Sequence, residues 1–192
     1  MDTKALINNR GIICFSSFST SIGHVYVAKN AKGVCRISFP HTEKEDFSDP
    51  FPCLKYLGKS LKGSVTEVIR DDLLLKSEID VLKEYFRGKQ VHFNFPLDLD
   101  QGTMFQKTVW RKLMEIPYGE CRSYKWVAEQ IGHPLAARAV GMANNKNPLP
   151  PVIPCHRVIG SDGSLTGYAF GIHVKKQLLE MECHAVHDRG FL

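Results

Sequence analysis

The sequence predicts an α/β N-terminal domain followed by a mostly α-helical C-terminal domain, and three observations carry that division. Short apolar runs broken by turn residues fill residues 11–39. An apolar pattern of helical period occupies residues 71–88, and beyond Gln101-Gly102 the pattern turns helical. A chain of 192 residues can hold two small domains, and a boundary at Gln101-Gly102 divides it into residues 1–100 and 101–192.

In the first part, Ile12 to Phe15, His24 to Ala28 and Val34 to Phe39 read as strands, with Asn30 to Gly33 a hairpin signal between the last two. A polar loop from His41 to Pro52 precedes a short helix at Leu54 to Leu61 and a strand at Val65 to Ile69. Asp71-Asp72 open a helix in which Leu74, Leu75, Ile79, Leu82 and Phe86 recur mostly three and four apart, and Gly88 ends it. Val91 to Leu99 alternates in part, and Pro96 reduces it to an edge strand or linker.

In the second part, Phe105, Val109, Trp110, Leu113 and Ile116 form one apolar stripe, capped by Thr103 and stopped at Pro117-Tyr118-Gly119. Ser123 caps a short helix carrying Val127, Ala128 and Ile131, which Gly132 ends. Pro134 suits the first turn of a further helix from Leu135 to about Asn145. Two short helices joined by a Gly-containing turn are the helix-turn-helix pattern. The second is thin, with Ala136, Ala137, Ala139, Gly141 and Ala143 surrounding one long cation, Arg138. Such a helix can lie against a groove wall or pack closely on a neighbouring helix. Four prolines between Asn147 and Pro154 restrict the loop that leads into Pro154-Cys155-His156-Arg157-Val158. A turn at Gly160 to Gly163, the segment Gly167-Tyr168-Ala169-Phe170-Gly171 and a last helix with Val174, Leu178, Leu179 and Met181 follow.

Charge and cysteine usage narrow the setting. Residues 103–192 hold 11 Lys and Arg against 7 Asp and Glu, whereas residues 1–102 are nearly balanced at 14 against 13. The basic excess of the second half suits a polyanion. Six cysteines without a CxxC pair, and no signal peptide, predict a reduced intracellular compartment. No stretch reaches the roughly 20 apolar residues of a membrane span, so no membrane partner is expected.

Cys155 is the candidate nucleophile. A thiol is reactive only as thiolate, and an ordinary pKa of about 8.5 leaves little of it at neutral pH. His156 can take the proton, directly or through water, if a carboxylate fixes the imidazole. Glu180, Glu182 and Asp162 are all near enough in sequence to do so. Two metal-ligand groupings, Cys183 with His184 and His187 near the C-terminus and Cys14 with His24, each lack a second ligand pair, so no metal is expected.

With these residues in view, the chain resembles the O6-methylguanine-DNA methyltransferases over most of residues 92–182. The matching residues are Thr103, Phe105-Gln106, Val109-Trp110, Ile116-Pro117, Gly119, Ser123-Tyr124, Ala136-Ala137-Arg138-Ala139-Val140-Gly141, Asn147-Pro148, Ile153-Pro154-Cys155-His156-Arg157-Val158 and Gly167-Tyr168. Gly23 to Ala28 and Gly33 to Phe39 match more loosely, and the resemblance implies a ribonuclease-H-like sheet for that half.

The resemblance implies repair of DNA by direct reversal. Cys155 takes the alkyl group from O6 of guanine irreversibly, once per molecule, with no cofactor. His156 deprotonates Cys155 through water, Glu182 holds the imidazole and Asn147 fixes the turn before the cysteine loop. Tyr124 donates a proton as guanine leaves, and Arg138 fills the stack from which the base is extruded. DNA contacts come from Tyr124, Ala137 and Arg138 in the minor groove, with Arg122, Lys125 and Lys146 on phosphates. Val158, Tyr168 and Phe170 line the substrate pocket. The partner is double-stranded DNA carrying O6-alkylguanine, and the protein is a monomer located in the cytoplasm, or in the nucleus of a eukaryotic source.

Two departures stand out. Ala169-Phe170 replaces the serine and glycine that many members carry after the tyrosine, which removes one hydrogen bond to guanine and narrows the pocket. The N-terminal zinc ligands of some animal members are not matched as a set. Two other functions compete: an alkyltransferase-like damage sensor, which would lack the cysteine that this chain retains, and a cysteine hydrolase, for which no oxyanion motif is present.

Overall fold

The computed structural model describes residues 11–39 and 67–187, which fall into two compact units. One comprises residues up to Phe86 together with Val91–Gln101, and the other Arg87–Gln90 together with the chain from Gly102 onward. The expected loop at 41–52 and helix at 54–61 lie outside the described residues.

The first unit is a mixed sheet. Strands β1 (Ile12–Thr20), β2 (Gly23–Asn30) and β3 (Gly33–Ser38) are antiparallel, and β4 (Glu67–Arg70) lies parallel to β1, giving the order β3-β2-β1-β4. The β2–β3 hairpin closes where expected, on an Asn30–Gly33 pair. Strand β1 runs five residues past Phe15, through Ser16, Ser17, Phe18, Ser19 and Thr20. Serine is a weak signal for a strand, and tertiary partners supply what propensity does not. Ser16 is buried and donates to Asp72 at 2.6 Å, and the Thr20 hydroxyl donates to Gly23 O at 2.7 Å across the turn.

Helix α1 (Lys76–Phe86) begins later than Asp71-Asp72 suggested. The Asp71 carboxylate accepts the Leu73 and Leu74 amides, holding a turn ahead of the helix. Ile79, Leu82, Tyr85 and Phe86 are buried as the periodicity requires, and Phe86 meets Phe18, Phe39 and Tyr85 edge-on or tilted. Buried Glu78 pairs with Lys29 of β2.

Val91 to Leu99 meets the sheet through a parallel bridge between Val34 and Leu97, and the Asn30 side chain of β2 donates to Asp98 at 2.6 Å. Val34 donates to Pro96 O at 2.8 Å, and its carbonyl accepts from Asp98 at 2.9 Å. Proline has no amide to extend that ladder. Gly33 makes the approach possible, since a Cβ there would sit 2.3 Å from Pro96 O and its φ is +141°.

The second unit is helical: α2 (Met104–Leu113), α3 (Tyr124–Gln130), α4 (Ala137–Asn145) and α5 (Ile172–His187), with a short parallel pair of β5 (Arg122–Ser123) and β6 (Val158–Ile159). Thr103 and Gln106 form a reciprocal capping box on α2, and the Ser123 hydroxyl accepts the Trp126 amide on α3. Helix α4 starts at Ala137, two residues later than expected. Pro134 and Leu135 lie in the preceding turn, which the Ala136 amide closes on His133 O. Trp110 is buried on α2, and its indole donates to Ala143 O at 2.9 Å, fixing α4. Cys183, His184 and His187, expected in a tail, belong to the last turns of α5.

Gly33→Ala should lower stability by about 2 kcal/mol or more, because the added methyl meets backbone that cannot swing aside and the φ is strained for an L side chain. Urea unfolding of the variant with an unchanged midpoint would contradict this account of the Pro96 contact.

Candidate active site

The segment from Asn147 through Val158 is buried throughout. A buried loop must satisfy its backbone polar groups internally, and each proline removes one donor from that requirement. Several of the remaining groups are paired locally. Asn147 Oδ1 accepts the Leu149 amide at 3.0 Å, Ile153 N donates to Leu149 O at 2.9 Å, and Cys155 N donates to Ile153 O at 2.8 Å. The Asn147 amide nitrogen donates both to Ile153 O at 2.7 Å and to Cys155 Sγ at 3.0 Å. Asn147 therefore does more than fix a turn, because it also holds the sulfur.

Cys155, His156 and Arg157 form one 3-10 turn, so consecutive side chains leave in different directions. His156 Nε2 lies 2.8 Å from Glu182 Oε1 on α5, both side chains fully buried. Among the three carboxylates that spacing left open, Glu182 is the partner. Glu180 pairs with Lys176 on the helix surface, and Asp162 accepts from the amide and hydroxyl of Ser164.

Arg157 adds a fork to the same carboxylate, Nε to Oε2 at 2.8 Å and Nη2 to Oε1 at 3.0 Å, and sends Nη1 to Ile116 O at 2.7 Å. The Gly119 amide completes the set at 3.1 Å. Gly119 has φ +78°, and a Cβ there would come within 2.6 Å of Val186.

Burial alone would raise the Glu182 carboxyl, but the hydrogen bonds from His156 and Arg157 and the charge of the guanidinium outweigh it and hold the group well below the usual range. Burial pushes His156 down against the pull of Glu182, so the imidazole is neutral near pH 7. A carboxylate at Nε2 requires the proton on that nitrogen, which places the basic lone pair on Nδ1.

Burial pushes the Cys155 thiol up to about 11, against the Asn147 hydrogen bond and the Lys175 charge. The resting sulfur is protonated and depends on a base. Two phenols flank it. Tyr168 is raised well above its ordinary value by burial and then by the sulfur, and its ring meets buried Phe170 edge-on at 5.8 Å. Tyr124, raised by burial, donates to Thr166 O at 3.1 Å, so it remains a phenol able to give a proton.

The structure brings Cys155, His156, Glu182, Asn147, Val158, Tyr168, Phe170 and Tyr124 into this one unit. Arg138 is exposed and Ala137 half-buried on α4. Lys125 is exposed on α3, and Arg122 is held between Glu120 and the Trp126 ring. Cys14 and His24 cannot share a ligand, because Cys14 pairs with Lys29 and His24 with Ser19, about 17 Å apart along β1.

Sequence reasoning missed Lys175, which is fully buried, and the role of Arg157. The signal for Lys175 was its place on the face that buries Val174, Leu178 and Glu182, one charged residue inside an apolar stripe.

Two family models match the chain. One is described as 6-O-methylguanine DNA methyltransferase, DNA binding domain, over residues 104–184, and the other as 6-O-methylguanine DNA methyltransferase, ribonuclease-like domain, over residues 13–99. The methylated-DNA–protein-cysteine methyltransferase of Methanosarcina barkeri is 42% identical over 168 residues, 88% of this chain and 96% of that protein. The protein of the same name from Mycobacterium tuberculosis is 49% identical over 129 residues, covering 67% of this chain and 78% of its own length. The crystal structure of M. tuberculosis OGT in complex with DNA has a TM-score of 0.74 at 37% identity, covering 90% of this chain and 94% of that one. O6-methylguanine-DNA methyltransferase from the archaeon Pyrococcus kodakaraensis has a TM-score of 0.65 at 27% identity, covering 88% and 98%.

Glu182→Gln should cost about 3–5 kcal/mol at pH 7, since it strands the buried Arg157 guanidinium. The sign with pH follows from the lowered carboxyl. Its stabilisation is complete above the unfolded value of about 4.3 and is lost as pH falls towards the folded one, so the gap to wild type should narrow below about pH 4. Urea unfolding at several pH values checks both.

Proposed function

The chain belongs to the 6-O-methylguanine DNA methyltransferase family, and from that we propose that it repairs O6-alkylguanine in DNA by moving the alkyl group onto Cys155. The observation that carries this reading is the buried pair of His156 and Glu182 behind a protonated thiol that a second side chain, Asn147, holds by its sulfur.

His156 Nδ1 receives the Cys155 proton through a water, while Glu182 keeps Nε2 protonated and stabilises the imidazolium that forms. The thiolate attacks the alkyl carbon, the carbon–O6 bond breaks, and its electron pair stays with guanine. Tyr124 supplies the proton that leaves the base neutral. The product is a thioether and an intact guanine. Nothing in the scheme removes the alkyl group from sulfur, so each molecule acts once. Retention of Cys155 separates the protein from a damage sensor that binds without transfer.

The α3–α4 pair serves as a helix-turn-helix that enters the minor groove, and the N-terminal sheet is of ribonuclease-H-like type, giving functional domains of residues 1–100 and 101–192. A stacked base is out of reach of a thiol, so the guanine is extruded and Arg138, exposed on a thin helix, takes its place in the stack. Arg122, Lys125 and Lys146 meet phosphates, and binding weakens with salt. The protein acts as a monomer, in the cytoplasm or in the nucleus of a eukaryotic source.

Incubation with duplex DNA containing O6-methylguanine should add one methyl to the Cys155 peptide, read by mass spectrometry, and Cys155→Ala should take up none. An unmodified peptide from folded wild-type protein overturns the reading. Phe170, packed on Tyr168, should make O6-benzylguanine react more slowly than O6-methylguanine, and Phe170→Gly should raise the benzyl-to-methyl rate ratio. An unchanged ratio removes Phe170 from the pocket.

A further inference from the structure

Lys175 is a buried cation that the scheme above does not use. Its side chain projects from the first turn of α5 and is fully buried. Its Nζ donates to Val158 O at 2.7 Å and Thr166 O at 3.1 Å, lies 3.5 Å from the Tyr124 hydroxyl and sits 5.7 Å from the centre of that ring. Burying an ammonium costs several kcal/mol unless something compensates. Among the described residues these acceptors are two carbonyls and a phenol, with no carboxylate in the set. The contrast with Arg157 is direct, because Glu182 cancels that guanidinium whereas Lys175 meets only neutral acceptors, and burial pulls its ammonium below the ordinary lysine value.

Two consequences follow from the geometry. Thr166 O is shared, accepting from the Tyr124 hydroxyl and from Lys175. If Tyr124 turns to donate elsewhere, the carbonyl keeps Lys175 as a partner and stays where it is held. Val158 O is the other anchor, and the Val158 amide closes the cysteine turn on Cys155 O, so the ammonium grips the end of the segment that carries the sulfur.

We propose that Lys175 is a positioning residue for the transfer: its ammonium holds the Thr166 carbonyl so that the Tyr124 hydroxyl is released to the substrate, and through Val158 O it keeps a positive charge at the end of the turn that carries the Cys155 sulfur. The proposal rests on the reading of Cys155 as acceptor and Tyr124 as acid. Lys175 neither gives nor takes a proton. Its charge favours the thiolate before transfer and the Tyr124 phenolate after the proton has gone to guanine. Asn147 donates to the Cys155 sulfur, Lys175 from α5, Tyr124 from α3 and Tyr168 from the 160–171 segment interact with it electrostatically, and His156, backed by Glu182 and Arg157, follows it in the turn. Cys121 also interacts electrostatically with Lys175.

The test uses two reactions of Cys155 in the full chain, each followed on the Cys155 peptide by mass spectrometry between pH 6 and 10. One is alkylation by iodoacetamide without DNA, and the other is methyl transfer from duplex DNA containing O6-methylguanine. Lys175→Met should slow iodoacetamide alkylation about tenfold throughout that range, which lies below the thiol midpoint, the fall that raising the midpoint by about one unit produces. Methyl transfer should fall further than alkylation, since Tyr124 loses its release as well. Lys175→Arg should recover the wild-type alkylation rate.

If Lys175→Met does not fold, Lys175→Gln keeps an amide donor for the carbonyls and carries the same measurement. A folded neutral variant with the wild-type alkylation rate and the wild-type ratio of the two rates overturns the proposal. Wild-type protein that reacts with iodoacetamide but never with methylated DNA overturns the repair reading instead.

Discussion

The carboxylate of Glu182 is the interaction on which the second unit depends. Four donors converge on it: the His156 imidazole, two nitrogens of Arg157 and the Gly119 amide. They come from the cysteine turn and from the stop after α2, so one buried anion joins α5 to both. The cost of desolvating that anion is offset only because a guanidinium fork and backbone N–H satisfy its oxygens together. The same bond that stabilises the fold also sets the tautomer of His156 and so decides which ring nitrogen can act as a base.

The rigidity of the loop before Cys155 has a different origin. Prolines restrict the backbone and reduce the number of buried donors, which lets a segment with little regular structure run through the interior. Asn147 then performs three tasks with one side chain, accepting from Leu149 and donating to Ile153 and to the sulfur. The sulfur is thereby aimed by backbone geometry, and α4 is held in turn by Trp110 through the Ala143 carbonyl. The positions of the nucleophile and of the thin helix are set by adjoining pieces of one chain.

The two buried cations of the second unit, Arg157 and Lys175, differ in what neutralises them. Arg157 is committed to Glu182 and to Ile116 O, and its charge is largely cancelled at the site. Lys175 is satisfied by carbonyls, which align their dipoles with the ammonium without carrying a net charge. Electrostatic preorganisation of this kind favours charge that develops during a reaction, because the surrounding dipoles are already oriented. The exposed cations of α3 and α4 belong to a different regime, screened by water and salt.

The sequence by itself determined the order of the elements in the second unit, the caps at Thr103 and Ser123, and the set of residues around Cys155. Those features depend on local periodicity, on capping chemistry and on a motif that survives as a string of letters. It also located the hairpin and the apolar face of α1. It could not carry β1 through Ser16 to Thr20, because those residues are held by Asp72 and Gly23 across space rather than by propensity. Spacing could not choose Glu182 over Glu180 and Asp162, a choice that the family resemblance alone made, since helical phase decides which carboxylate faces the imidazole. For Lys175 and Lys176 the same problem arises, as adjacent lysines look alike until the packing of α5 buries one and exposes the other. Tertiary structure decided these points because charge partners and burial are properties of a folded surface, set by contacts between residues distant along the chain.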